Sequence, residues 1–103
     1  VHNGFLSLGL ISRCCALIGP SPLDARLEAA RADLVAADPA TTPAARAQAS
    51  ELAMRAASML AVSTGARAVL RDQQAQRLVR EALFLLVFGS RPAIKAELLS
   101  RLS

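Results

Sequence analysis

The residues best placed to do chemistry stand together at one corner, Phe88-Gly89-Ser90-Arg91, directly ahead of Pro92. Gly89-Ser90 ends one helical pattern and starts the next. Backbone N–H groups at a helix start, with the Ser90 hydroxyl and the Arg91 guanidinium beside them, can hold a phosphate or pyrophosphate. The same residues also make an ordinary helix stop and restart, which needs no ligand. Elsewhere the chemistry is thin. His2 is the sole histidine, close to the first residue. Cys14 and Cys15 are adjacent, a spacing that does not favour a mutual disulfide, and two thiols need further ligands to hold zinc. They read as buried free thiols in a reducing compartment, so a cytoplasmic location is expected. A metal enzyme or a Cys-His or Ser-His hydrolase lacks the residues it would need.

The elements that must position that corner are helices. The chain of 103 residues is 53% hydrophobic and 3% aromatic, with neither Trp nor Tyr. Ala, Leu and Arg dominate, so strong helix formers outnumber strand formers. One all-α domain spanning 1–103 is expected, an up-and-down bundle of four to five helices. The net charge is +4 and the pI about 10.5. That balance suits a phosphorylated ligand, nucleic acid or a membrane surface. No run of four Lys/Arg and no aromatic interleaving supports nucleic acid, which is not expected as a partner. Neither the apolar run from Phe5 to Ile18, interrupted by Arg13, nor the one from Ala82 to Gly89 is long enough to span a membrane. A start at Val1 rather than Met suggests a fragment, a processed product or a non-ATG start.

Five helices are expected, at about 5–18, 22–37, 43–64, 73–88 and 92–102. Gly4 and Gly9 are expected to loosen the start of the first, and Gly19-Pro20 to end it. Ser21, Pro22 and Asp24 form a capping-box-like start for the second, whose stripe is Leu23, Leu27, Ala30, Leu34 and Ala37. Thr42 is the expected cap of the third, with Pro43 in its first position. That helix carries Ala45, Ala49, Leu52, Ala53, Ala56, Ala57, Leu60 and Ala61, small residues that let another helix approach closely. Gly65 marks its end. Asp72 is the expected cap of the fourth. Its stripe of Ala75, Leu78, Val79, Ala82, Leu83, Leu86 and Val87 is joined by Phe84, Leu85 and Phe88 on the opposite side. A helix apolar all round must be covered on both sides, by a central place in the bundle or by a partner.

The order of these corners resembles the C-terminal helical domain of the acyl-CoA dehydrogenase family over Ala45 to Leu102, and more loosely over Gly9 to Ala37. Thr64-Gly65 stands at that family's Gly-rich turn. Gln76-Arg77 and Arg80-Glu81-Ala82 stand at its "ER..RDA" helix, and Phe88-Gly89-Ser90 at its "EGT" corner. The resemblance implies a flavin-contacting and oligomerising domain of a flavoprotein that dehydrogenates acyl-CoA thioesters. Gly65, Gly89 and Ser90 would approach FAD, which this chain alone would not hold. The partners implied are the remaining domains or subunits, in a homo- or hetero-oligomer that binds acyl-CoA only as a complete assembly.

Departures from the family pattern are as informative. Phe88 stands where many members carry the Glu that takes the substrate's alpha proton, and a phenyl ring accepts no proton. The spacing from Arg80-Glu81-Ala82 to the corner is one residue short. "CCALIGPSPLDA" replaces the Arg-x-x-Phe-Gly segment that helps hold the flavin diphosphate. No catalytic residue is assigned, and Arg77 is expected to pair with Glu81. The alternative expectation is a standalone helical interaction module without enzymatic activity, dimerising through the third or the fourth helix.

Overall fold

The computed structural model describes residues 2–69, 73–88 and 91–103, and all the regular structure among them is helical. The helices are α1 (His2–Ile18), α2 (Leu23–Ala36), α3 (Thr42–Thr64), α4 (Gln74–Val87) and α5 (Pro92–Leu102). A 3-10 turn, Ala66–Val69, joins α3 to α4. No described helix is long and apolar enough to cross a membrane.

The central element is α3, which packs against α1, α2, α4 and α5. Of the two placements expected for the all-apolar fourth helix, a central place or an interface with a partner, the central one is taken by α3. The reason lies in side-chain size. Ala45, Ala49, Ala53, Ala56 and Ala57 are all buried, with Leu52 and Leu60, so helix axes can close on α3 from several directions. Ala47, on another face, meets Ile94 and Leu98 of α5 in a second small cluster. The alanine stripe is thus consumed inside the molecule.

Gly4 does not loosen α1, which begins at His2. A Cβ there would lie 2.9 Å from Leu34 Cδ2 and 3.2 Å from Cδ1, so the missing side chain admits the end of α2. Gly19, with φ +93°, ends α1 as expected, its N–H donating to the Cys15 carbonyl at 2.9 Å. The capping contacts of α2 form: Leu23 N donates to Ser21 Oγ and Ser21 N to Asp24 Oδ2, both at 3.2 Å. Leu23, Leu27, Ala30 and Leu34 are buried, and Ala37 half-buried, as the stripe predicts.

Thr42 is not a cap. Its hydroxyl donates back to the Asp38 carbonyl at 2.7 Å, and Asp38 organises the turn. The Asp38 carboxylate accepts from the N–H groups of Ala40 and Thr41, each at 2.9 Å. The Thr41 N–H first, then its hydroxyl, hold that carboxyl below its ordinary value. Asp72, the expected cap of α4, lies outside the described residues.

If α3 must stay small to sit in the middle, enlarging it is costly. Ala56→Leu is expected to lose about 3 kcal/mol in urea unfolding, through overpacking. Ser58→Leu, exposed on the same helix, is expected to stay within about 0.5 kcal/mol of the parent.

Candidate functional site

At roughly 100° per residue the side chains of α4 fall into three sectors. Ala75, Leu78 and Ala82 enter the core. A second sector, with Arg77, Glu81, Phe84 and Leu85, faces α1. A third, with Leu83 and Val87, faces solvent, where these side chains are 52% and 64% exposed. The all-round apolar character of α4 therefore does not reflect burial on all sides. Phe84 and Phe88, 54% and 57% exposed, stack with ring centroids 4.6 Å apart at the end of α4.

Between α1 and α4 runs a groove of about 900 Å³. Its α1 wall is Phe5, Leu6, Gly9, Leu10 and Arg13. The start of α1 lies by the start of α3, since a Cβ on Gly4 would come within 3.7 Å of Arg46 Cγ. α4 returns from the end of α3, so α1 and α4 run antiparallel. The Arg13 end of α1 thereby meets the first turn of α4. With its amide oxygen turned toward them, Gln74 accepts from Arg13 Nη2 at 2.8 Å, Arg13 Nε at 3.0 Å and Arg77 Nη2 at 3.3 Å. That orientation is the one the surrounding donors dictate.

The groove is consequently polarised. Among the described residues, Arg13, Arg77 and Arg80 line it with a single acid, Glu81. Arg77 Nε stands 3.7 Å from Glu81 Oε1, and Arg80 Nε donates to Gln76 Oε1 at 3.1 Å. The Arg77–Glu81 pair is the one the spacing predicts. Both members are more than half exposed, so it is worth well under about 1 kcal/mol. At the other end the described residues Phe5, Leu6, Phe84 and Leu85 offer apolar surface. Arg13 and Phe5 are separated by about 12 Å along α1.

The residues singled out for flavin proximity are distributed differently. Gly65 ends α3 with φ +84°, its N–H donating to the Ala61 carbonyl at 3.0 Å. Open space surrounds the position a Cβ would occupy. Phe88 ends α4, a helix length away, about 20 Å by the rise per residue. Gly89 and Ser90 lie outside the described residues. Neither Gly65 nor Phe88 lines the groove or the three smaller cavities. A flavin would find an open turn at Gly65, without an enclosing wall from the described residues.

Both thiols are free and buried. Burial, then the neighbouring Cys15 and Glu81, push the Cys14 thiol up to about 11. Burial and a hydrogen bond to Asp24 raise Cys15. Among the described residues no group of three His, Cys, Asp or Glu side chains is placed to hold a metal. The groove itself escapes sequence reasoning, because only the fold sets Arg13 beside Gln74 and Arg77. Comparison with protein-family models, with curated proteins and with solved structures finds no match.

The raised thiol has two consequences. Since the thiolate is the nucleophile, alkylation of Cys14 by iodoacetamide at pH 8 is expected at least about 100-fold slower than that of free cysteine. Folding holds the proton on Cys14, so the unfolded chain ionises first as pH rises. Stability in urea is therefore expected to fall as pH climbs past the ordinary thiol value toward about 11. A Cys14→Ala chain should lack that part of the decline.

Proposed function

We propose that the chain is a helical interaction module that pairs with a second copy of itself through the solvent-facing flank of α4. The observation that carries this reading is the exposure of Leu83 and Val87. They stand one helical turn apart on a flank that faces away from both core and groove. Among the described residues that flank carries no acid. Its nearest cation, Arg80, is engaged by Gln76 one turn earlier. An anionic partner would meet only Arg80 at the edge of this surface, whereas a second copy brings the same apolar ridge. The alanine face of α3, the other candidate for pairing, is inside the fold.

Magnitudes favour a weak dimer. Burying the exposed part of each Leu and Val side chain contributes about 1 kcal/mol, and association costs several kcal/mol before any net gain. Micromolar self-association is the expectation. Sedimentation equilibrium between about 1 and 500 µM should show a monomer–dimer transition. The Leu83→Asp/Val87→Asp chain should remain monomeric across that range. Its melting temperature at low concentration should match the parent's, because both side chains are exposed. A parent chain that stays monomeric at the highest concentration defeats the reading.

A second reading rests on the Gly65 turn. Its positive φ is the backbone of a Gly-rich turn, at the position where the acyl-CoA dehydrogenase resemblance places flavin contact. On that reading the chain is the flavin-contacting domain of an acyl-CoA dehydrogenase-like assembly, with FAD and acyl-CoA held by the assembly. The host protein that carries this sequence should then purify with flavin absorbance and reduce dye when given acyl-CoA. A colourless preparation without that activity would end it.

A further inference from the structure

We infer that the groove between α1 and α4 binds a single-chain anionic amphiphile, with its head group at Arg13 and Arg77 and its chain toward Phe5 and Phe84. The groove is far larger than a water site and lies in the range of small-molecule pockets. Its two ends differ in kind. Among the described residues, one end carries three guanidinium groups against the one carboxylate of Glu81, an excess of two positive charges. The other end is aromatic and aliphatic.

The guanidiniums retain the means to bind. Gln74 takes Nε and one Nη of Arg13, and one Nη of Arg77. Each Arg has five N–H donors, so both keep donors for a carboxylate or phosphate oxygen. Gln74 also fixes the two cations side by side, where an anion can accept from both. The first turn of α4 lies at this same end, where the helix dipole favours negative charge.

Length sets the occupant. From Arg13 to Phe5 the groove runs about 12 Å, the reach of a medium-length chain. A cationic amphiphile would meet repulsion at the arginines, and a neutral one would leave them without a counter-charge. A second copy of this chain is disfavoured here, because its own arginines would meet these. The inference is independent of pairing through Leu83 and Val87, which face away from the groove.

Decanoate and decyl phosphate, below their micelle concentrations, are the probes, with decanol and decyltrimethylammonium as controls. Titration of the isotope-labelled chain by NMR should show saturable one-to-one binding of either anion. Shifts should be confined to 5–13 and 74–85. Decanol should bind at least about 10-fold more weakly than the better anion, as lost charge-assisted hydrogen bonds require. Tighter binding of decyl phosphate assigns a phosphate head, and tighter binding of decanoate a carboxylate. Arg13→Gln/Arg77→Gln should erase the preference over decanol, and Phe84→Asp should remove all binding. Should the double variant fail to fold, Arg80→Gln, which gives up the bond to Gln76, must still reduce the preference. The Leu83→Asp/Val87→Asp chain should bind as the parent does. Equal affinity for anion and alcohol, shifts scattered over the surface, or no saturation overturns the inference.

Discussion

The close packing of small side chains on α3 is the constraint on which the molecule depends. A helix whose inward positions are mostly alanine offers little hydrophobic area per residue. It does allow several helices to approach one axis, and α1, α2, α4 and α5 all pack against it. Larger residues then complete the core from outside: Leu8, Ile11, Leu23, Leu27 and Leu78 come from the surrounding helices. Because the centre is narrow, each outer helix touches it along one side only. That geometry leaves α4 with more apolar surface than the core can take.

The surplus is distributed rather than scattered. Part of it closes against α1 across a groove whose other end is cationic. Part faces water at Leu83 and Val87. In a domain of this size, burial of such a surface on a second copy would also add stability that a small core supplies sparingly. The buried thiols play no part in either surface. Cys14 is buried, its surroundings favour the protonated thiol, and it fills space as a small apolar residue would.

Much of the fold was legible because local signals agreed. The five helices, the Gly19 and Gly65 ends, the Ser21–Asp24 start and the α3 stripe all follow from spacing and turn chemistry. The misreadings share a cause. Gly4 looks like a weak helix start until Leu34 is found against it. Thr42 looks like a cap until Asp38 captures the turn. Period alone could show that α4 is apolar on every side, but not which side the bundle uses. The groove was invisible because Arg13 and Arg77 are far apart in sequence. Gly65 was legible as a turn from its residue type, but any link to a flavin came only from resemblance.

The central claim is the three-way division of α4, and solvent accessibility of its methyl groups tests it most directly. A soluble paramagnetic chelate broadens methyl signals in proportion to their exposure, with no substitution needed. In dilute protein Ala75, Leu78 and Ala82 should be protected, and Leu83 and Val87 strongly broadened. Leu85, on the groove side, should lie between them. Uniform protection along α4 would restore the fourth helix to the centre of the bundle. Broadening that ignores helical position would mean that α4 does not dock on α3 as described, and either result would contradict the account.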